Sequence, residues 1–398
     1  MADIQGICDA RFERVRDTLA SLIDSGKEAG ASLYVNIDGE DVIDMWGGWH
    51  EHEHVTPWTE HTIVNVASAS KTVTSLAVLM LVDRGEIDLY APVARYWPEF
   101  AQNGKEKIEV RHLLSHTAGL PAWLPPFTLQ DAMDIESATA KLAAQAPWWE
   151  PGTRGTYHAS TFGHLNAELV RRVTGSTLSQ FIAREITTPL QADFYLGLSD
   201  AQFANVATVY PADEDGGASA PAGAVPASLT PEQAFKAKIR AGSFSGTKRD
   251  PLKLFNSPEW RRLEFGGSSG HANARGLGRI ITTLTNGGVS RGQRLVSPQT
   301  IDLIFREQAH GIDGYYIKPI RWGIGYALAN EESNARGPLP FLQPSKRTCF
   351  WYGTGGSLVI ADVERRMAIS YVMNQCQTGK KCLNGIYYKT VYECLEGN

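Results

Sequence analysis

Apolar residues recur at helical spacing near the start of the chain, at Phe12, Val15, Leu19, Leu22 and Ile23, and Gly26 follows. That is the pattern of an amphipathic helix ended by a glycine. Two strand-like runs follow. SLYVNI and DVIDMWGGW are rich in β-branched and aromatic residues and meet at Asp38-Gly39, a dipeptide suited to a tight hairpin. The far end of the chain repeats the arrangement, with SLVIADV and MAISYVMN on either side of Glu364-Arg365-Arg366 and a closing helix from Asn384 to Leu395. Between Thr72 and Asn286 helical patterns dominate: the segment after Lys71, Ser137 to Ala146, Phe162 to Thr174, Leu178 to Ile186 and Ala274 to Leu284. Strands at both ends around helices in the middle predict an α+β protein whose antiparallel sheet is completed by both ends of the chain. The expected division is a discontinuous sheet domain, 1–75 and 275–398, and a mainly helical domain, 76–274. Within the latter, Pro211 to Pro231 is rich in Pro, Gly and Ala and reads as an exposed loop.

Composition narrows the function classes. The 398 residues are 43% hydrophobic, enough for a large core, and carry a net charge of only −5. No basic run is dense enough to neutralise several phosphates, so nucleic acid is not an expected partner. The five cysteines, Cys8, Cys349, Cys376, Cys382 and Cys394, are odd in number and lack CxxC spacing, which argues against a disulfide framework and a zinc cage alike. The first 31 residues have scattered charges and no apolar core of a secretory signal. The longest apolar run, Leu76 to Val82, is far short of the roughly 20 residues of a membrane span. The expectation is a soluble, cytoplasmic protein with no membrane partner; the oligomeric state is left open.

Candidate chemistry begins in VASASKTVTSLAVLML, Val66 to Leu81, where Ser68, Ser70 and Lys71 stand at the mouth of an apolar run. Ser68-Ala69-Ser70-Lys71 is S-x-x-K, and positions i and i+3 share one helical face, so a hydroxyl and an amine can meet there. A helix N-terminus opposes protonation of a nearby lysine and favours a developing oxyanion. A neutral lysine can accept the serine proton and activate a nucleophile that is weak alone. A capping serine followed by a surface lysine is the plainer reading of an isolated match. Ser245-Gly246-Thr247-Lys248 is such a match, and no apolar helix follows it.

Other motifs give Ser68 its weight. Tyr157 lies in a turn, WWEPGTRGTYHASTFGHLNAELVRRVTG, just before an amphipathic helix; RHLLSHTAGLPAW spans Arg111 to Trp123; and CFWYGTGGSLVIAD is a Gly-rich strand near the C-terminus. Together they resemble the serine β-lactamase and penicillin-binding-protein superfamily, and most closely the family VIII carboxylesterases, which look like class C β-lactamases. The resemblance runs from about Ala31 to Asn374. It implies a β-lactamase/transpeptidase-like fold, with Ser68 as the acylated nucleophile, Lys71 as its partner and Tyr157 as the tyrosine of a Y-x-N motif that shuttles protons. A lysine charge beside Tyr157 would be expected to lower the phenol pKa. Thr354 would supply its backbone N–H, with that of Ser68, as the oxyanion hole.

Departures from the family pattern carry information. Ala159 replaces the asparagine of Y-x-N, and Trp351-Tyr352-Gly353 replaces the K-T-G of β-lactamases, resembling the W-G-G or H-x-G of the esterases. Strong penicillin hydrolysis is therefore not expected. Trp351, Tyr352 and Gly353 become candidate substrate contacts, and Trp123 and Trp148, with Trp149, are candidate walls of an apolar acyl pocket or plain packing. Two further motifs compete. Gly266-Gly267-Ser268-Ser269-Gly270 satisfies G-x-S-x-G, yet that motif needs a preceding strand, and RRLEF is a poor one. His50, His52 and His54 alternate in HEHEH as if to ligate zinc, but interleaved glutamates and the lack of a further ligand motif favour a solvated loop. His112 and His116 lack the glutamate of H-E-x-x-H and read as structural. The sequence thus points to a serine hydrolase acting on small carboxylic esters without metal or cofactor. The nearest rival is an acyltransferase like the lovastatin-type transesterases; a β-lactamase, a D,D-peptidase and a silent binding protein stand further off.

Overall fold

The computed structural model describes residues 2–212, 229–243, 251–329, 345–377 and 382–397. Most of the loop expected at 211–231, and the second S-x-x-K at 245–248, lie outside the described residues. Nine strands form one sheet among those described: Gln5–Cys8 (β1), Gly30–Ile37 (β2), Glu40–Gly48 (β3), Ala309–Ile312 (β4), Pro319–Trp322 (β5), Ala327–Leu328 (β6), Thr348–Tyr352 (β7), Leu358–Asp362 (β8) and Met367–Met373 (β9). Their order is β1-β3-β2-β9-β8-β7-β6-β5-β4, and every neighbouring pair is antiparallel. Both hairpins read from the sequence are present. Asp38 and Gly39 take φ of 54° and 87° at the first turn. β2 and β9 pair from Ala31↔Met373 to Ile37↔Met367, which joins the two ends of the chain in mid-sheet.

Each face of the sheet has its own helices, and alternation decides which residues meet them. On one face lies Ala274–Thr285 (α3 below, after the helices that precede it). Ser32 Oγ accepts from the Ala274 N–H at 3.0 Å, Ser370 Oγ donates to the Ala274 carbonyl at 2.5 Å, and a Cβ on Gly278 would sit 1.9 Å from the Tyr34 ring. Only glycine lets the helix approach that closely. On the other face Tyr371 packs against Tyr387 of the closing helix Asn384–Glu396, which in turn lies beside the first helix, Glu13–Asp24.

Two helices precede α3 around Ser68 in chain order, Ser70–Asp83 (α1) and Thr161–Thr174 (α2). Residues 70–81 of α1 are all buried. A helix buried on every side must satisfy its polar groups internally. Thr74 Oγ1 donates to the Gly266 carbonyl and Ser75 Oγ to that of Gly325, both at 2.8 Å, while the Thr72 carbonyl accepts from the Tyr326 hydroxyl at 2.8 Å. α2 packs against α1 and ends at Gly175, φ 72°.

The helices read from periodicity match to within about two residues at most ends, a normal boundary spread. The stretch at Leu178 is an exception: its α-helix covers Leu178–Ile182 and continues as a wider π-type turn through Ala183–Thr187. Strands β1, β4, β5 and β6 have no counterpart in the sequence reading. They are two to four residues long, and β4 contains Gly311 while β5 begins at Pro319. Such short segments are strands because neighbours pair with them. No described helix is long and apolar enough to cross a membrane.

Candidate active site

The approach to α1 is a tight turn. Ala67 takes φ 44°, a left-handed value uncommon for a residue with a Cβ. It is held there from several sides. Its N–H donates to Asn65 Oδ1 at 3.2 Å, the Val66 N–H to the Gly270 carbonyl at 2.9 Å, and Ser70 Oγ bridges the Ala67 carbonyl (2.6 Å) and the Gly270 N–H (3.0 Å). The turn leaves Ser68 half-buried while Ala67, Ala69 and Ser70 are fully enclosed. Ser68 is thus the residue of this turn that can meet a small molecule.

Lys71 is 2% exposed, and its Nζ has three neighbours: Ser68 Oγ at 3.3 Å, the Ala159 carbonyl at 3.0 Å and the Gly267 carbonyl at 2.7 Å. Burial holds its pKa well below the ordinary lysine value. A neutral amine has two N–H donors and one lone pair. If both donors serve the carbonyls, the lone pair faces Ser68.

The G-x-S-x-G segment is the cradle of this arrangement. Gly266, Gly267, Ser268 and Gly270 present carbonyls to Thr74, Lys71, Asn65 and Val66, respectively. A Cβ on Gly270 would sit 2.5 Å from Ser70 Oγ, and one on Gly266 2.7 Å from Thr74 Oγ1. Ser268 itself is buried, and the segment leads into the two-residue strand His271–Ala272, not into a helix. The missing asparagine of Y-x-N is also explicable here, because position 159 serves Lys71 through its carbonyl and needs no side chain for that contact.

Tyr157 is 2% exposed. Its hydroxyl accepts from the Trp351 indole N–H at 3.2 Å and lies within hydrogen-bonding reach of Ser68. The Lys71 ammonium position is 5.0 Å from the ring centre. Contrary to the expectation from sequence, the phenol pKa is raised. Burial dominates, and the hydrogen bonds from Ser68 and Trp351 only oppose it in part. The phenol therefore keeps its proton at neutral pH, and the indole, which can only donate, leaves that proton free for another acceptor.

Two residues that sequence reasoning did not assign to the site stand behind Tyr157. Asp313, fully buried, accepts at Oδ2 from the Tyr157 N–H (2.7 Å) and the Trp322 indole (3.3 Å), and at Oδ1 from the Tyr315 and Tyr316 N–H groups (2.8 and 3.0 Å). It clamps the β4–β5 turn onto the tyrosine. His116, at φ 61°, accepts the His158 N–H on Nδ1 at 3.1 Å, and its ring lies 5.1 Å from that of Tyr157 and 4.3 Å from that of Trp322. Burial and the nearby His158 and Lys71 hold it neutral. The Asp-Gly of GIDGYY signals a turn in the sequence, but nothing local ties it to residue 157.

The end of β7 meets the turn that carries Ser68. A Cβ on Gly353 would lie 2.1 Å from the Val66 carbonyl oxygen, so glycine sets the distance between strand and turn. Gly353 N–H donates to the Ser357 carbonyl at 2.7 Å, and Thr354, next in the chain, is exposed. Trp351 is buried against Tyr157 and Tyr352 is half-buried beside Tyr316. The tryptophans divide. Trp123 is 1% exposed, stacks on Phe127 at 4.0 Å and spends its N–H on the Ala138 carbonyl, which is core packing. Trp148 is half-buried and packs edge-on to Phe235. The HEHEH histidines scatter: His50 bonds Thr62 Oγ1 at 2.6 Å and is buried where a solvated loop was expected, His52 packs near Tyr210, and His54 stacks on Trp49.

Comparison with known proteins accords with this geometry. Esterase/beta-lactamase LipL of Mycobacterium tuberculosis is 30% identical over 375 residues, 93% of this chain and 82% of the relative. A solved family VIII carboxylesterase superposes with a TM-score of 0.86 at 33% identity, covering 98% of this chain and all of the other. EstA from Arthrobacter nitroguajacolicus gives 0.81 at 29%, covering 100% and 99%. The family model described as Beta-lactamase matches residues 15–388. With its antiparallel sheet built from both chain ends and that match over nearly its whole length, the chain belongs to the beta-lactamase family and has the β-lactamase/transpeptidase-like fold.

Proposed function

We propose that the protein is a serine hydrolase that cleaves carboxylic esters through an acyl-enzyme on Ser68. The observation that carries this reading is the placement of the Lys71 amine, with two carbonyls for its two N–H groups and Ser68 Oγ at 3.3 Å on its remaining side. The esterase names of the relatives above support the substrate class. Ser68 Oγ attacks the ester carbonyl carbon while its proton passes to Lys71, and the resulting oxyanion faces the Ser68 and Thr354 amides. As the carbon–oxygen bond to the alcohol breaks, Tyr157 gives its proton to the leaving alkoxide and regains one at the expense of the Lys71 ammonium. Water then repeats the sequence on the acyl-enzyme and releases the acid. With Ala159 for asparagine and no lysine in Trp351-Tyr352-Gly353, the site has little to hold a β-lactam.

The test is hydrolysis of p-nitrophenyl esters together with covalent labelling by a fluorophosphonate. Ser68→Ala should abolish both, Ser268→Ala should retain both, and an alcohol added as acceptor should not replace water as the main acyl acceptor. Label mapped to Ser268, or an undiminished Ser68→Ala enzyme, would sink the assignment.

A further inference from the structure

The rim of this site carries a cluster of positive charge set against aromatic rings. The helix Pro231–Ala241 sets Phe235 against Trp148 and Trp149, at ring distances of 6.2 and 6.0 Å. Three cations lie on the aromatic faces of this rim. Arg154 is 4.5 Å from the centre of Phe235, Lys238 4.2 Å from that of Trp148, and Lys236 5.9 Å from that of Tyr315. Tyr315 is itself 5.6 Å from Tyr157, so Lys236 stands one ring away from the proposed proton donor. Partial burial, then the charges of Arg240 and Lys318, push the Lys236 pKa down, and the buried Asp313 opposes them.

The local acids compensate only in part. Asp313 is buried and both its oxygens are engaged by N–H groups. Glu232 feels Arg154 but is fully exposed and makes no ion pair with it among the described residues. An excess of cations is conspicuous in a chain whose net charge is −5. Ammonium groups resting on rings offer flat apolar surface and positive charge together, which suits a short carbon chain ending in an anion. Such a charged rim also concentrates oppositely charged substrate at the cleft.

We propose that the preferred substrates are esters whose acyl chain ends in a carboxylate, with Lys236 as its principal counter-charge and Lys318 beside it. The proposal rests on the ester-cleaving reading of Ser68. Its test compares kcat/KM for the p-nitrophenyl half-ester of adipic acid with that for neutral p-nitrophenyl heptanoate, after subtraction of spontaneous hydrolysis. At low ionic strength the half-ester should be favoured by about three- to tenfold, the reach of one or two partly exposed charge pairs. The advantage should fade at about 0.5 M salt, where screening acts within a few ångströms. Lys236→Glu should invert the ratio, and Lys318→Glu should reduce it. Equal kcat/KM at low salt, or a preference that survives both variants, overturns the proposal and leaves ester cleavage standing. Turnover of neither ester by the wild-type protein removes both.

Discussion

Replacing Gly353 by alanine should open the active site without unfolding the protein. The new Cβ would stand 2.1 Å from the Val66 carbonyl oxygen and 3.1 Å from its carbon, both backbone atoms. Neither side yields easily. Val66 and Ala67 are held by Gly270 and Asn65, and Gly353 by its bond to Ser357 at the head of the β7–β8 ladder. To restore ordinary contact at about 3.4 Å, strand and turn must part by roughly 1.3 Å. Thr354 would move with the strand, away from Ser68. Misplacement by about 1 Å costs on the order of a hundredfold, and loss of one oxyanion donor roughly a hundred- to a thousandfold in kcat. The expected result for Gly353→Ala is therefore a kcat lower by about two to three orders of magnitude with KM changed far less, since the aromatic walls stay in place. The assay is steady-state hydrolysis of a p-nitrophenyl ester, normalised to active sites titrated with a fluorophosphonate, beside a thermal melt that shows the variant folded. A folded Gly353→Ala enzyme with kcat within about threefold of the parent would refute the view that this close approach builds the oxyanion site.

Lys71→Ala and Tyr157→Phe should each lower kcat by at least about a thousandfold, and the double variant should be little worse, because in the proposed mechanism the two serve one proton-handling step. Since burial lowers the Lys71 pKa and raises that of Tyr157, kcat/KM should rise with pH through an apparent pKa well below the ordinary lysine value; a limb at that ordinary value would refute the neutral-amine assignment. Asp313→Asn can serve only one of the two donor pairs that the carboxylate now satisfies, so it should lower kcat by about tenfold or more per titrated site at nearly constant KM; a loss confined to thermal stability would make Asp313 merely structural. Glu28 is buried with Oε2 bonded to the Tyr371 and Tyr387 hydroxyls, and burial pushes its pKa up to about 8 from 4.5. Its contribution to stability is full below the unfolded value and is lost as pH rises towards about 8, a fall of up to about 5 kcal/mol that Glu28→Gln should flatten in pH-dependent melts; parallel curves for the two proteins would refute it.

Periodicity alone was enough for the long elements. The hairpins around Asp38-Gly39 and residues 364–366, and the helices at Thr161–Thr174 and Ala274–Thr285, carry apolar runs of strand length or helical spacing bounded by turn and cap residues, although burial in the fold extends to both strand faces and most of each helix. The S-x-x-K spacing likewise puts Ser68 and Lys71 on one face of a single turn, and no distant contact is needed to foresee that. Tertiary structure decided the rest. The short strands β4 to β6 exist through pairing in series, β6 with β7, β5 with β6 and β4 with β5, and the carbonyls that orient Lys71 come from residues 88 and 196 positions away. The clamp of Asp313 on Tyr157 spans 156 positions. The direction of the Tyr157 pKa was misread from sequence for the same reason. A lysine next to a phenol is visible in a motif, whereas the desolvation that lowers the lysine pKa and raises that of the phenol depends on Trp351, Trp322 and Tyr316 closing around the ring from other parts of the chain. Burial is a property of the assembled core, and it sets the protonation of the groups on which the proposed chemistry depends.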